Sequence, residues 1–212
     1  MTLSLCVLVP VKRLSDAKTR LAGVLSERTR EELVVEMFKR VVEASKRSGV
    51  VDCVLVVSPD EKILRIAERE GASSLRDEGK GLNEAVERGL EWCLERGFDR
   101  VLVILGDTPL IEPVDIEAMA SIAKDPPAVV LAPSESGGTN CMLLYPPDII
   151  EPSYGPGSFE RHLELAKEAG ARVEVYVSDR TKLDVDEPED LEKLACRISA
   201  RDRLYAVLKR GS

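Results

Sequence analysis

The sequence predicts an α/β fold in which one mixed, mostly parallel sheet carries helices on both faces. Short, continuous apolar runs, which are typical of strands buried on both sides, alternate with amphipathic stretches along the whole chain. No linker or low-complexity segment interrupts this alternation. Because 212 residues are enough for one sizeable core, we expect a single domain spanning residues 1–212.

Seven segments have the character of strands. The first, LCVLVPV, is almost entirely apolar, and RVLVILGD ends in a glycine and an aspartate. In chain order, the predicted strands are 5–11, 51–58, 72–75, 100–107, 128–134, 141–146 and 172–178. The later strands follow one another too closely for crossovers between parallel neighbours, so we expect the second half of the sheet to be mixed.

The segments between the strands have helical periodicity. In the stretch 29–48, Leu33, Met37 and Val41 belong to one apolar stripe, and Thr29 and Glu32 suggest a capping box. Further helices are predicted at 60–71, at 81–97, from Pro113 onward, at 158–169, and at 187–209 with a break near residue 199. The alternation indicates a doubly wound, Rossmann-like arrangement.

Composition excludes several classes of protein. Thirty Lys and Arg residues against 38 Asp and Glu residues give a net charge of −8, which argues against general nucleic-acid binding. No apolar run approaches the ~20 residues that a membrane helix needs. The five cysteines have no CxxC spacing, and the N-terminus does not resemble a signal peptide. We therefore expect a cytoplasmic protein with reduced thiols.

Ligands of open α/β sheets bind beyond the carboxyl ends of the strands, so the residues that follow each strand are the candidates for function. Lys12, Lys18 and Arg20 follow the first strand and concentrate positive charge in an acidic protein. Asp107 follows the strand at 100–107, and Asp184 and Asp186 follow the last strand. One end of the sheet therefore collects cations and carboxylates.

The aspartates have two interpretations. Asp184 and Asp186 point to the same side if LDVDEP is extended, and two carboxylates on one side repel each other unless a cation lies between them. Together with Asp107 they are candidate ligands for Mg²⁺. Alternatively, Asp107 caps a turn and Asp186 caps the helix that begins at Pro188.

Glycine-rich stretches follow other strands. In YGPGSFERH, Ser158 is placed as a helix N-cap, and free backbone N–H groups after two glycines would form an anion site. The alternative is a rigid turn before an ordinary capped helix. Asn83 and Glu84, in the first turn of the helix after Gly81, either cap that helix or read the edge of a purine base. His162 is most simply a structural hydrogen-bonding residue.

The ordered motifs VPVK…AKTRL, GLNEAV, GDTPL, GGTN, GPGS and LDVDEPEDL resemble those of the 2-phospho-L-lactate guanylyltransferases of coenzyme F420 biosynthesis. The resemblance extends from about residue 5 to residue 195. It implies the nucleotide-diphospho-sugar transferase-like fold, also called glycosyltransferase-A-like, of the wider nucleotidyltransferases. Those relatives carry a glycine-rich loop after the first strand, whereas this chain has no glycine before Gly23.

The resemblance also implies roles for matching residues. Lys12, Lys18 and Arg20 would bind the nucleotide phosphates, with Lys18 and Asp107 taking part in catalysis. Gly81, Asn83 and Glu84 would lie near the guanine. Asp107, Asp184 and Asp186 would hold Mg²⁺, and the acceptor would contact Thr139, Gly155 and Ser158.

The implied reaction joins GTP and 2-phospho-L-lactate to give lactyl-2-diphospho-5′-guanosine and pyrophosphate. The alternatives are phosphoenolpyruvate, 3-phosphoglycerate or another phospho-acid as acceptor, CTP as donor, or a non-catalytic nucleotide-binding module on the same scaffold. Retention of all three aspartates argues against the non-catalytic module. The sequence leaves the formation of a homodimer open.

Overall fold

The computed structural model of the protein describes residues 3–210. Its strands are β1 (Leu5–Pro10), β2 (Cys53–Ser58), β3 (Ser73–Arg76), β4 (Arg100–Ile104), β5 (Ala128–Pro133), β6 (Thr139–Tyr145) and β7 (Arg172–Val175). Its helices are α1 (Glu27–Arg47), α2 (Glu61–Arg69), α3 (Leu82–Glu95), α4 (Pro113–Ile122), α5 (Ser158–Glu168), α6 (Asp179–Lys182), α7 (Pro188–Arg197) and α8 (Arg203–Arg210). Two short 3₁₀ helices, Leu14–Asp16 and Thr19–Gly23, follow β1.

The strands form one seven-stranded sheet in the order β3-β2-β1-β4-β6-β5-β7. Strand β6 is antiparallel to both of its neighbours, β4 and β5, while the other pairs are parallel. The prediction of a mixed sheet whose second half departs from the parallel pattern is therefore confirmed. The central strands are apolar on both sides because both sides are covered.

Apolar side chains fill two cores, one on each face of the sheet. One face packs against α1, α2, α4, α7 and α8, with Phe38 and Met37 among its fully buried side chains. The other face packs against α3 and α5, with Leu90 and Ala166 contributing from the helices. This two-sided covering confirms the predicted arrangement of helices.

Several helix termini differ from the sequence prediction. Helix α1 begins earlier than predicted, and Ser26 is its N-cap, because the Ser26 hydroxyl accepts from the Thr29 N–H at 3.2 Å. The expected capping box of Thr29 and Glu32 was wrong, and Glu32 instead forms an ion pair with Arg28 at 3.0 Å. The residue with an extended backbone just before the first turn makes the cap, and Thr29 is already inside the helix.

The expectation that Ser158 is an N-cap was also wrong. Gly157, in the left-handed conformation with φ 68°, precedes α5, and Ser158 is the first helical residue. Likewise, Glu187 and Asp190 form the capping box of α7, so Asp186 does not cap that helix. The predicted strand at 172–178 ends at Val175, and Ser178 caps the short helix α6, which the sequence prediction did not include.

Candidate active site

A cavity of about 430 Å³ opens at the carboxyl ends of β1, β2 and β4. Its wall comes mainly from four stretches of chain, 10–20, 77–85, 105–107 and 184–186. Strand β4 ends at Ile104, which places Asp107 beyond the sheet and at the rim of the cavity. The cavity lies where the topology predicts a ligand site for an open α/β sheet.

Gly106 allows β4 to end close to β1. A Cβ atom at this position would lie 3.1 Å from Val11 Cγ2 and 3.4 Å from the Pro10 carbonyl oxygen. These contacts are tighter than a side chain normally makes, so the glycine keeps the two strand ends together. The first-strand loop and Asp107 consequently face the same cavity.

Lys18 is the most enclosed of the cations in the cavity. Its Nζ lies 2.5 Å from Asp107 Oδ2 and 2.8 Å from Asp186 Oδ1, and its side chain is only 7% exposed. Burial alone would lower the pKa of Lys18, but the charges of Asp107 and Asp186 outweigh it, and the pKa is raised. Lys18 therefore stays protonated and joins two of the predicted metal ligands.

The other predicted phosphate-binding cations are more open. Lys12 is exposed on the cavity wall, and Arg20 forms an ion pair with Glu187 at 2.8 Å while its side chain remains 70% exposed. Arg13, which the prediction of site residues did not include, also lines the cavity. Its guanidinium packs over Gly79, where an added Cβ would lie 3.4 Å from Arg13 Nε. The cavity thus has four cations from one loop.

Asp184 belongs to the same electrostatic cluster. Burial, and then the negative charge of Asp107, raise the pKa of Asp184 to about 6. In contrast, burial would raise the pKa of Asp186, but the Lys18 ammonium outweighs this effect and lowers it. The two carboxylates of LDVDEP therefore have different environments: Asp186 is paired with a cation, whereas Asp184 has no cationic partner among residues 3–210.

Asn140 is hydrogen-bonded to the segment that carries these carboxylates. Its Nδ2 donates to the carbonyl oxygens of Thr181 and Lys182 at 2.9 and 3.1 Å, and to Asp184 Oδ1 at 3.4 Å. The Val185 N–H also donates to the Asp107 carbonyl oxygen at 3.3 Å. Asn140 was not among the predicted site residues, although the motif GGTN contained it.

A second set of hydrogen bonds holds α6, the helix that lies just before Asp184 and Asp186 in the chain. Asp115 is fully buried and accepts two hydrogen bonds from the Arg180 guanidinium, at 2.7 and 2.8 Å, and one from the Tyr176 hydroxyl at 2.8 Å. Burial would raise the pKa of Asp115, but Arg180 outweighs it, and the pKa is lowered. This ion pair, in which only the aspartate is fully buried, joins α4 to α6, the helix that precedes Asp184 in the chain.

Of the three residues predicted to lie near the guanine, only Gly81 lines the cavity. Gly81 lies on the cavity wall with φ 141°, and no atom lies within 4 Å of the position of an added Cβ. Glu84 forms an ion pair with Lys80 at 3.5 Å. The Asn83 amide is hydrogen-bonded to the backbone of Tyr154. Asn83 and Glu84 do not contribute to the cavity wall.

The residues predicted to bind the acceptor lie near one another, outside the wall of this cavity. Ser158 and Thr139 are 1% and 2% exposed, and the Ser158 hydroxyl donates to Thr139 Oγ1 at 3.4 Å. Gly155 lies in the loop before α5 with φ 130°. The structure brings these three residues together, but their role in binding an acceptor stays a prediction.

The expected anion site with free amides at the start of α5 is not present in the form predicted. The Ser158 N–H donates to the Gly155 carbonyl oxygen at 3.0 Å, and the Phe159 N–H donates to the Gly137 carbonyl oxygen at 3.3 Å. These amides close the turn and join it to the loop between β5 and β6. An acceptor would therefore depend on side-chain hydroxyls more than on the helix terminus.

His162 is structural in its contacts. Its Nε2 accepts from the Ser153 N–H at 2.9 Å, so Nδ1 carries the proton and donates to Thr139 Oγ1 at 2.9 Å. Burial, and then the charge of Arg161, lower the pKa of His162 to about 4. Because Thr139 accepts from His162 and Ser158, its own hydroxyl proton remains for another acceptor.

The donor set fits a magnesium ion that arrives with phosphates. Asp107 Oδ1 is buried and has no hydrogen-bond partner in the described part of the chain, and Asp184 lies close enough to Asp107 for their charges to interact. Within residues 3–210, no group of three or more His, Cys, Asp or Glu side chains is arranged to hold a metal by itself. Mg²⁺ commonly uses one or two carboxylates and completes its shell with water and phosphate oxygens.

Comparison with known proteins places these features in a family. Residues 5–203 match the model of a family described as guanylyl transferase CofC like. A phosphoenolpyruvate guanylyltransferase of Rubrobacter xylanophilus is 44% identical over 193 residues, which cover 91% of this chain and 94% of that protein. A 2-phospho-L-lactate guanylyltransferase of Methanothermobacter thermautotrophicus is 39% identical over 190 residues, covering 89% and 83%.

Solved structures share the fold at low sequence identity. A protein of Desulfovibrio desulfuricans G20 described as a nucleotide-diphospho-sugar transferase superposes with a TM-score of 0.81 at 17% identity, covering 97% of this chain and 94% of that one. A CMP:2-keto-3-deoxy-manno-octonic acid synthetase superposes with a TM-score of 0.63 at 16% identity, covering 90% of this chain and 96% of that one. These similarities confirm the predicted fold class.

Proposed function

This chain belongs to the family of CofC-like guanylyl transferases, and we propose that it transfers GMP from GTP to a phosphorylated three-carbon acid. The observation that carries the proposal is the cavity in which four cations of the first-strand loop face Asp107, Asp184 and Asp186. The cations suit a triphosphate, and the carboxylates suit the metal that accompanies it. The products would be a diphosphoguanosine in which a new phosphoanhydride bond joins the phosphate of the acid to GMP, and pyrophosphate.

The acceptor is proposed to be 2-phospho-L-lactate or phosphoenolpyruvate. Both carry a phosphate and a carboxylate on neighbouring carbons, and both occur in the names of relatives that match most of this chain. The 44% identity to a phosphoenolpyruvate enzyme favours phosphoenolpyruvate as the first acceptor to assay. We propose that the hydroxyls of Thr139 and Ser158, with the open turn at Gly155, hold this acid.

In the proposed reaction, a phosphate oxygen of the acceptor attacks the α-phosphorus of GTP. The bond from that phosphorus to the bridging oxygen breaks, and pyrophosphate leaves with the electron pair. A phosphate monoester has a second pKa of about 6 and is mostly dianionic at neutral pH, so the attacking oxygen needs no general base. This agrees with His162, whose ring is occupied by Thr139 and Ser153.

The chain's own cations would offset the repulsion between the two anionic substrates, GTP and the phospho-acid. Lys12, Arg13, Lys18 and Arg20 would hold the phosphates and offset the charge that builds on the leaving pyrophosphate. Asp107, Asp184 and Asp186 would hold Mg²⁺, which would supply further charge compensation when bound. In the free protein, Asp186 forms an ion pair with Lys18.

A coupled pyrophosphate-release assay tests the proposal. GTP, ATP, CTP and UTP are each combined with phosphoenolpyruvate, 2-phospho-L-lactate and 3-phosphoglycerate in the presence of Mg²⁺. We expect turnover with GTP and one of the first two acids. A preference for CTP, or no turnover with any pair by a folded protein, would contradict the assignment, and the latter would favour a non-catalytic nucleotide-binding module.

The location and assembly of the protein are also proposals. Within the described residues, no helix is both long and apolar enough to cross a membrane. We propose a cytoplasmic location, where GTP and phospho-acids are available, and fractionation of cells tests it. A homodimer stays a prediction that light scattering at assay concentration would check.

A further inference from the structure

The Lys18 ammonium bridges two carboxylates that come from distant parts of the chain. Asp107 follows β4, Asp186 follows α6, and each accepts a hydrogen bond from Lys18 Nζ, at 2.5 and 2.8 Å. The carboxylates are 25% and 48% exposed, but the lysine side chain between them is only 7% exposed. In the free protein, the Lys18 ammonium is therefore the cation that lies between Asp107 and Asp186.

This geometry conflicts with simultaneous metal binding at the same oxygens. Mg²⁺ binds oxygen at about 2.0–2.1 Å, and it would share Asp107 Oδ2 with an ammonium that already lies within hydrogen-bond distance. The two cations would also repel each other at such short range. The bridged arrangement and a metal held between Asp107 and Asp186 therefore exclude each other.

We propose that Lys18 occupies the cation position in the free protein and leaves it only when a divalent metal and a triphosphate arrive together. The proposal rests on the proposed function, because that function supplies the phosphates that receive the ammonium. The metal then takes over the carboxylates, and Lys18 moves to the phosphates. Without a bound triphosphate the metal binds weakly, because it must displace the Lys18 ammonium, which then has no other anion to pair with.

The backbone at Lys18 suits such an exchange. Among residues 3–210, Lys18 is the one non-glycine residue with positive φ, at 52°, and it lies between two short 3₁₀ helices. A left-handed conformation is strained for a residue with a Cβ, and such strain persists where surrounding contacts hold it. The two carboxylate contacts provide that hold. The neighbouring Asp107 Oδ1, which is buried and has no hydrogen-bond partner among the residues that the structure describes, offers the incoming metal a further ligand atom.

The exchange can be tested with Mn²⁺ and without any nucleotide. Free Mn²⁺ is measured by electron paramagnetic resonance during titration of the wild-type protein, Lys18→Met and Lys12→Met. Methionine keeps the apolar stem of the lysine and removes its charge. We expect Lys18→Met to bind Mn²⁺ about tenfold more tightly than wild type, the size of effect that one hydrogen-bonded charge typically has.

Lys12→Met is the matched control, because Lys12 lines the same cavity but has no ion pair within the described chain. This variant loses the same charge but keeps the contacts of Lys18 with Asp107 and Asp186. We therefore expect its Mn²⁺ affinity to stay within about threefold of wild type. Equal Mn²⁺ affinity of wild type and Lys18→Met would overturn the proposal. An equal gain in both variants would also overturn it, because general repulsion would then explain the effect.

A second measurement uses the wild-type protein alone, in case Lys18→Met does not fold. Thermal unfolding is followed with Mg²⁺ alone, with GTP alone and with both, since a ligand that binds the native state raises Tm. We expect Mg²⁺ alone to leave Tm unchanged and both together to raise it more than GTP alone. A rise in Tm with Mg²⁺ alone that equals the rise with both would refute the exchange. Because catalysis is not measured, failure here leaves the pyrophosphate-release assay as the separate test of the function.

Discussion

Asn83 and Tyr154 form a reciprocal pair of hydrogen bonds: Asn83 Oδ1 accepts from the Tyr154 N–H at 2.6 Å, and Asn83 Nδ2 donates to the Tyr154 carbonyl oxygen at 3.3 Å. The pair ties the first turn of α3, which borders the cavity, to the loop that precedes α5. Asn83 was expected to lie near the guanine, yet its amide is already used at both ends. Its contacts indicate that it positions the loop that we propose contacts the acceptor.

Replacement of Asn83 by alanine separates these two roles. Loss of the pair should lower Tm and raise the KM for the acceptor, because the loop at 153–157 is no longer held against α3. If Asn83 positions the loop, the ratio of kcat/KM for GTP over ATP should stay within about threefold of wild type. A large loss of nucleotide selectivity with an unchanged acceptor KM would show instead that Asn83 reads the base.

Replacement of Asp107 by asparagine should remove nearly all activity. The change keeps the shape but weakens both the pairing with Lys18 and the proposed metal site, and loss of one such electrostatic contact typically lowers kcat by a hundredfold or more. Pyrophosphate release at saturating Mg²⁺ measures the effect, and circular dichroism checks the fold. Asp179→Asn is the control, since that carboxylate is 90% exposed and should leave the rate unchanged. Near-normal turnover by folded Asp107→Asn protein would remove Asp107 from the site.

Replacement of Ser158 by alanine should weaken the acceptor more than the nucleotide. The change deletes the donor to Thr139 Oγ1 and frees the threonine hydroxyl from one of its two fixed partners. We expect about a tenfold higher acceptor KM, the typical effect of one hydrogen bond to a charged group, with the GTP KM nearly constant. Separate titrations of the two substrates measure this. Weaker GTP binding with an unchanged acceptor KM would mean that the two halves of the site are assigned the wrong way round.

The low pKa of His162 makes stability depend on pH. Burial, and then Arg161, lower the pKa to about 4, whereas a histidine in the unfolded chain titrates near 6.5. Between these values the unfolded chain binds a proton that the native protein does not, so the free energy of unfolding falls as pH decreases from about 6.5 to about 4. The full effect over this window is about 3 kcal/mol, at 1.36 kcal/mol per pKa unit.

Urea unfolding of wild type and His162→Gln at several pH values isolates this contribution. Asp184, whose pKa is raised to about 6, acts in the opposite direction, because its native form favours the proton and loses stability as pH rises. That effect is present in both proteins and cancels in the difference. The wild-type protein should lose more stability than the variant as pH decreases toward 4. Parallel curves for the two proteins would contradict a neutral, buried His162.

The sequence alone determined the seven strands and the longer helices, but not the short helix α6. The seven predicted strands all occur, with ends shifted by a few residues, because apolar runs and helical periodicity are local properties that burial on both faces of a sheet imposes. The helix termini were less predictable. Ser26, not Thr29, caps α1, and Gly157, not Ser158, precedes α5, because a cap depends on the backbone conformation of one residue.

The sequence also indicated that three cations of the first-strand loop and three aspartates gather at the cavity, because the carboxyl ends of parallel strands meet at one edge of a sheet. It did not indicate their partners. Lys18 and Asp186 are 168 positions apart, and Asn140 reaches Asp184 across 44 positions. The pairing of Asp115 with Arg180 and the use of the Asn83 amide by Tyr154 likewise depend on how α4, α6 and the loop before α5 pack on the finished sheet. Only the tertiary structure decides such contacts, because hydrogen bonds and ion pairs between distant residues require distances of a few ångströms that no local pattern encodes.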